Sequence, residues 1–167
     1  DHLLAIDIGN TNIVCGVHDG SEWTHQWRVQ TVRSRMPDEY AVMFRDFLSE
    51  AGLSLDKIDQ TVLSSVVPRL TRGIANMIAQ RSGFDPVVVS AHIDTGITIN
   101  TDYPERVGSD LIADAVAAYD RFHSNCIVVD FGTATTFDCI SPRGEYLGGV
   151  IAPGIQISAD ALFQRAS

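Results

Sequence analysis

A motif that occurs near both ends of the chain places the strongest limit on its fold. Residues 4–9 (LAIDIG) align with residues 127–132 (IVVDFG), and the same alignment places Val17 on Ile140. Each copy combines an apolar strand ending in Asp-x-Gly, a polar turn and a second strand. Self-similarity of this length is typical of two domains built on one plan. We expect the second domain to be incomplete in this chain, because few residues follow its strands.

The hydrophobic periodicity between the two copies predicts alternating strands and helices. Apolar runs predict strands at residues 3–8, 13–18, 22–29, 61–67, 87–89 and 126–131. Helical periodicity predicts helices from Pro37 to Gly52, over residues 69–82, and after Ser109 as the N-cap. This alternation indicates an α/β fold. We assign residues 1–117 to a first domain with a phosphate-binding turn and a substrate loop, and residues 118–167 to the N-terminal part of a second.

The charge balance argues against nucleic acid as a partner. The chain has 167 residues, with 12 Lys and Arg against 21 Asp and Glu, a formal net charge of −9. An acidic chain repels a phosphate backbone unless its cations cluster. We expect no such cluster, because the predicted helix over residues 69–82 places Arg69, Arg72 and Arg81 on its polar face. The apolar content of 45% is enough for a folded core and excludes a disordered tail.

Neither a membrane span nor an oxidised framework is expected. The apolar runs are strand-sized, and no basic segment precedes the first of them, so we predict no transmembrane helix and no secretory signal. Cys15, Cys126 and Cys139 are far apart in apolar segments, which favours reduced core residues over a metal site or disulfides. The histidines show no metal-ligand spacing. These features predict a cytoplasmic protein.

The two Asp-x-Gly turns carry the residue types that bind phosphate. Backbone N–H groups of such a turn form a nest for anions, and Thr11 and Thr133 add hydroxyl donors. We expect Gly9 and Gly132 to allow positive φ and close backbone approach. Asp7 could hold Mg²⁺ through water. Two such turns facing each other would grip a polyphosphate. The alternative is a pair of ordinary hairpin turns, which the duplication makes less favourable.

Four segments in order resemble the motifs of type III pantothenate kinases. They are residues 7–12 (DIGNTN), 108–110 (GSD), 130–138 (DFGTATTFD) and 148–155 (GGVIAPGI). That family belongs to the acetate and sugar kinase, Hsp70 and actin superfamily. The resemblance implies duplicated actin-like, ribonuclease H-like α/β domains, each a mixed sheet flanked by helices. Glycine and proline in the last segment could also simply shape a strand exit and the start of a helix.

The resemblance implies ATP-dependent phosphorylation of pantothenate to 4′-phosphopantothenate, the first step of coenzyme A biosynthesis. Its implied partners are ATP and pantothenate, with no nucleic acid and no membrane. Its implied cofactors are Mg²⁺ with ATP and a monovalent cation, K⁺ or NH₄⁺. It also implies a homodimer in the full-length protein.

The resemblance also implies roles for individual residues. The phosphate-binding set would be Asp7, Ile8, Gly9, Asn10, Thr11, Asn12, Ile13, Val14 and, for ATP, Thr133. The pantothenate-binding set would be Thr101, Tyr103, Gly108, Ser109, Asp110 and Leu111. Asp110 would be the general base, Asp130 would bind the monovalent cation, and Asp7 would hold magnesium through water. From the sequence alone, Asp110 also fits a first-turn helix carboxylate that is favoured by the macrodipole.

The sequence departs from the family in the substrate motif. Leu111 replaces an arginine that would bind the carboxylate of pantothenate, a loss of about 1.5 to 3 kcal/mol. Asp114 adds negative charge one turn later, and Thr101 stands where the family often has a tyrosine, with Tyr103 nearby. Arg106 is the nearest cation and is our hypothesis for a substitute.

Three functions therefore stay open. The first is the pantothenate kinase, which the retained Asp7, Asp110, Asp130 and Thr133 favour. The second is a phosphotransferase of the same fold with a different substrate. The third is a non-catalytic regulatory or accessory homologue.

Overall fold

The chain divides into two units, residues 1–89 and 90–167. The structure is a computed structural model, and it describes residues 1–166. The predicted boundary between residues 117 and 118 falls inside a helix of the second unit and stays a prediction, and the last residue of the predicted second domain lies outside the described residues. Within residues 1–166, no helix is long and apolar enough to cross a membrane.

The first unit is a five-stranded mixed sheet with two helices. Its strands are β1 (Leu3–Ile8), β2 (Asn12–His18), β3 (Trp23–Gln30), β4 (Gln60–Ser65) and β5 (Val87–Val88). They lie in the order β3-β2-β1-β4-β5, with the β1–β2 and β2–β3 pairs antiparallel and the β1–β4 and β4–β5 pairs parallel. The helices are α1 (Pro37–Glu50) and α2 (Pro68–Ser82).

One face of this sheet forms the core of the first unit. Alternating residues of β1 are buried, as the two-residue period of a strand requires, and they pair with buried residues of β2. Apolar residues of α1 and α2 join the same cluster, among them Tyr40, Phe44 and Ile74. The predicted helices are confirmed within one or two residues, and Gly83 ends α2 in the left-handed conformation with φ of 85°.

The second unit is a four-stranded mixed sheet, in the order β6-β9-β8-β7. Its strands are β6 (Thr98–Ile99), β7 (Cys126–Phe131), β8 (Ala134–Ile140) and β9 (Glu145–Pro153). Its helices are α3 (Ser109–Phe122) and α4 (Ile155–Arg165), and a short 3₁₀ helix (Pro104–Arg106) precedes α3. Ala115 of α3 packs with Ile140 and Tyr146 in a small core.

Four expectations about local structure are wrong. Ser109 is the first residue of α3, and Gly108 is the N-cap. The repeat alignment shifts by one residue in the second strand, because Val17 pairs with Leu4 whereas Ile127, the counterpart of Leu4, pairs with Cys139. The turn before β8 has two residues where the turn before β2 has three, which accounts for the shift.

The third correction concerns the cysteines. Cys15 is buried, but Cys126 is half-buried and Cys139 is exposed, because Cys139 lies on the face of β8 that carries the exposed Phe137. The fourth concerns the strand predicted at residues 61–67, which ends at Ser65. Val67 becomes the N-cap of α2, and Pro68, with its fixed φ, begins that helix.

Candidate functional site

The first predicted phosphate-binding turn connects β1 to β2. The Gly9 N–H donates to the Asn12 carbonyl at 2.9 Å, and a Cβ on Gly9 would lie 3.0 Å from the same oxygen. The backbone at Gly9 thus lies close to the other end of its own turn, and its approach to a phosphate stays a prediction. The expectation of positive φ is wrong for Gly9 and Gly132, since neither is among the residues with left-handed backbone. Both turns are closed by short hydrogen bonds and do not need that conformation.

The segment after β3 braces this turn. The Thr31 N–H donates to the Thr11 carbonyl at 2.8 Å, and the Thr31 hydroxyl donates to the Gly9 carbonyl at 2.8 Å. Arg33 donates to the Asn10 side-chain oxygen at 2.8 Å. Three residues of the turn are thus fixed from outside it. A turn held in this way can present its remaining N–H groups to an anion with little loss of entropy on binding.

The residues that flank the turn have two kinds of environment. Ile8 and Ile13 are 0% exposed, so their side chains belong to the core and only their backbone could meet a ligand. Asp7 is exposed at the end of β1. Burial, followed by the Asp7 charge, raises the pKa of the neighbouring Cys15 thiol to about 12. Asp7 is therefore an accessible carboxyl group at this turn, of the kind that can bind a cation.

The second turn connects β7 to β8 and is closed by a similar bond. The Gly132 N–H donates to the Ala134 carbonyl at 2.9 Å, and the Gly154 N–H donates to the Thr133 carbonyl at 3.2 Å. A Cβ on Gly154 would collide with the Thr133 carbonyl, so only glycine permits this contact. Asp130 and Thr133 are exposed beside it. Gly154, which directly follows β9, thus shapes the turn. This agrees with the interpretation that glycine and proline in residues 148–155 shape a strand exit and the start of a helix.

The predicted substrate motif lies at the start of α3. Ser109 is buried, and Asp110 is half-buried in the first turn of the helix, where its Oδ1 accepts from the Leu111 N–H at 2.9 Å. A negative charge is favourable at a helix N-terminus. Leu111 packs against the small core that contains Ala115 and Ile140. The side chain that replaces the family arginine therefore contributes to apolar packing.

A buried polar pair lies near Asp110, and sequence reasoning did not single it out. The Tyr146 hydroxyl donates to Asp138 Oδ1 at 2.7 Å, and Asp138 is 1% exposed. Asp138 Oδ2 is sealed from solvent without a hydrogen-bond partner among the described residues. Burial, then the Asp138 hydrogen bond and charge, then the Asp110 charge, raise the pKa of Tyr146 above its usual range. The sequence signal that could have revealed this pair was an acidic residue, Asp138, at an inward-facing position of β8.

The loop before α3 carries the remaining predicted substrate residues. The Thr101 hydroxyl is buried with no hydrogen-bond partner among residues 1–166, and its methyl lies beside Gly148. Tyr103 is 57% exposed, and the Arg106 guanidinium lies 4.5 Å from the centre of its ring. This is the geometry of a cation–π contact. The loop therefore presents an accessible cation close in sequence to Asp110.

The carboxylates fit a metal that arrives with a nucleotide. Within residues 1–166, no three His, Cys, Asp or Glu side chains group as a metal cluster. Mg²⁺ in kinases is commonly held by one or two carboxylates, with water and substrate phosphates supplying the other ligands. Asp7 in the first unit and Asp130 in the second are each a single exposed carboxylate beside a predicted phosphate turn, and each by itself suits such an ion.

Solved structures share the fold of this chain. The ethanolamine utilization protein EutJ from Carboxydothermus hydrogenoformans matches with a TM-score of 0.54 at 15% identity, over 99% of this chain and 57% of that one. The type II variant of the Aquifex aeolicus Ppx/GppA phosphatase matches with a TM-score of 0.56 at 15% identity, over 98% and 56%. These matches confirm the predicted actin-like α/β fold, with mixed sheets flanked by helices.

Sequence relatives give the family. A type III pantothenate kinase from Moorella thermoacetica is 50% identical over 165 residues, covering 99% of this chain and 65% of the relative. Relatives with the same name from Geobacter sulfurreducens and Geotalea uraniireducens are 49% and 48% identical. The chain spans 64% to 65% of the length of these relatives. The sequence profile of the family, described as type III pantothenate kinase, matches residues 3–167. The chain therefore belongs to the type III pantothenate kinase family.

Proposed function

We propose that the full-length protein phosphorylates pantothenate to 4′-phosphopantothenate with ATP, as the first step of coenzyme A biosynthesis. The observation that carries the proposal is Asp110, held in the first turn of α3 in a chain about half identical to kinases of this name. A carboxylate on a rigid helix end is positioned well for proton transfer.

Asp110 acts as the general base in this proposal. It takes the proton from the primary hydroxyl of pantothenate while that oxygen forms a bond to the γ-phosphorus. The bond between that phosphorus and the β–γ bridging oxygen breaks, and ADP leaves with the electron pair. Catalysis of phosphoryl transfer comes mainly from positioning and charge neutralisation. The bracing of the turn at residues 9–11 and the fixed backbone of Asp110 serve that purpose.

The cofactor residues are proposed from the same family pattern. Residues 7–14 bind the phosphates of ATP, and Thr133 contacts the nucleotide. Asp7 holds Mg²⁺ through water, and Asp130 binds the monovalent cation, K⁺ or NH₄⁺. The metal supplies neutralisation of phosphate charge when it is bound. We further propose a cytoplasmic homodimer as the working form.

A second candidate is a phosphotransferase of the same fold for another alcohol. Leu111 favours it, because this side chain packs in the small core of the second unit and cannot bind a carboxylate. Arg106 answers this objection in the kinase proposal, since its guanidinium is exposed on the loop that precedes Asp110. A non-catalytic homologue would bind ATP without turning over either substrate.

The test is ATP turnover by the full-length protein in magnesium and potassium buffer, with and without pantothenate. We expect pantothenate-dependent ADP release that falls by about a hundredfold or more in Asp110→Asn. Asp120→Asn is the matched control, because it removes the same charge from an exposed position on the same helix. ATP binding without pantothenate dependence would refute the kinase proposal and favour the other two functions.

A further inference from the structure

A cleft in the first unit collects three arginines. It has a volume of about 220 Å³ and lies between the segment after β3 and the start of α2. Arg33, Arg35 and Arg69 line it, together with apolar groups such as Leu70 and Ile74. The expectation that the cations of this chain do not cluster is therefore wrong. Arg69 lies on the polar face of α2 as predicted, but chain folding brings two other arginines to the same cleft.

The side-chain contacts of Arg33 and Arg35 within residues 1–166 are with uncharged groups. Arg33 donates to the amide oxygen of Asn10, which is neutral. Arg35 lies 3.4 Å from the Met43 sulphur, and its guanidinium is 5.4 Å from the centre of the Tyr40 ring. The described residues that line the cleft include no Asp or Glu. The lining of the cleft is therefore basic, and an anion is the ligand whose charge complements it.

The backbone adds to the positive potential of the cleft. Helix α1 begins at Pro37, which lines the cleft, and Arg69 is the second residue of α2. The N-terminus of a helix carries a partial positive charge. The first-turn carboxylate of Glu39 is directed to the Met36 N–H, at 2.8 Å, and Glu39 is not a lining residue. Asp38, the other acidic residue of this turn, does not line the cleft either.

Size and donor geometry define the ligand. Sites that enclose a whole drug-sized ligand measure roughly 300 to 1,000 Å³, so this cleft suits a single anionic group. Guanidinium groups match phosphate oxygens in bidentate geometry. We propose that this cleft binds a phosphate group, as inorganic phosphate or as the end group of a small phosphorylated ligand, at a site separate from the turn at residues 9–11. Arg33 joins the two, because it also holds Asn10.

The experiment is calorimetric titration of the full-length protein with pyrophosphate at low salt, in the presence of a saturating non-hydrolysable ATP analogue. Because the nucleotide fills its own site, remaining pyrophosphate binding reports the cleft. Arg69→Gln should weaken this binding about tenfold. Arg72→Gln, which removes the same charge from an exposed position three residues along α2, should change it less than twofold. Melting temperatures of the two variants should agree.

The outcomes separate this site from the proposed kinase activity. Loss of all pyrophosphate binding on addition of the ATP analogue would overturn the proposal and assign the anion to the nucleotide site. Equal weakening in both variants would also overturn it, since that result indicates general charge attraction. Parallel titrations with inorganic phosphate and glycerol phosphate identify the source, because binding of only the ester means that the cleft recognises the end group of a larger ligand. None of these results depends on turnover of pantothenate.

Discussion

In the second unit, the buried carboxyl group of Asp138 depends on individual neighbouring residues for its hydrogen bond and for its space. Its carboxyl group is buried, and Tyr146 supplies the hydrogen bond to one oxygen. A Cβ on Gly149 would collide with that oxygen, so the strand beside Asp138 must carry glycine there. The nine-residue motif made Asp138 visible in the sequence. Its partner could not be predicted, because Tyr146 reaches it only through the pairing of β8 with β9.

Replacement of Tyr146 by phenylalanine tests this pair. The ring keeps its packing, but Asp138 loses the hydrogen bond to Oδ1 and becomes a buried carboxyl without that donor. We expect the free energy of unfolding to fall by about 1 to 3 kcal/mol. Urea unfolding followed by circular dichroism measures the change. The control is Tyr103→Phe at an exposed position, where a change within about 0.5 kcal/mol is expected. Equal effects at both positions would contradict the assignment.

At the scale of elements, the sequence predicted those that carry their own periodicity. Helices α1 and α2 and strand β7 lie where their apolar spacing placed them. Strand β6 was not predicted, because its two residues are extended only through pairing with Glu145 and Tyr146. The arginine cleft was not predicted for the same reason, because two stretches of chain distant in sequence, residues 33–40 and 69–74, line it. Local patterns specify elements, whereas pairing and clefts depend on distant parts of the chain.

The loop from Thr101 to Gly108 makes a prediction about substrate binding. If the 3₁₀ helix presents Arg106 to the carboxylate of pantothenate, Arg106→Ala in the full-length protein should raise KM for pantothenate about tenfold or more and leave kcat nearly unchanged. Steady-state kinetics with varied pantothenate measures both constants. Arg121→Ala is the control, because Arg121 also contacts an aromatic ring, 5.7 Å from the Phe122 centre, at the far end of α3. Unchanged pantothenate saturation in Arg106→Ala would remove the hypothesis.

At the scale of the molecule, the repeat predicts that corresponding strands of the two units are buried to the same extent. Their exposure differs instead. Leu4, Ile6 and Ile8 are at most 2% exposed in the core with α1 and α2. Their counterparts Ile127, Val129 and Phe131 are 64%, 42% and 70% exposed. In the second unit, α3 packs with Val128 on the other face of β7. Sequence similarity could not predict this difference, because burial depends on what packs against a strand.

The exposed face of β7 and β8 gives a prediction for the 167-residue chain. Paired residues place Ile127, Val129, Phe131 and Phe137 on one side of the sheet. Contiguous exposed apolar surface of this kind favours association. We therefore expect this chain to bind the dye ANS and to self-associate in sedimentation velocity at micromolar concentration.

The double substitution Ile127→Lys and Phe137→Glu should lower both dye binding and association, because it places charge on this face without changing the net charge. The matched control is Val42→Lys with Trp23→Glu, which makes the same changes at exposed apolar positions of the first unit. Both signals should persist in that control. A wild-type chain that stays monomeric and binds no dye would show that this face is covered in solution. Equal losses in both double variants would instead attribute the association to apolar surface in general.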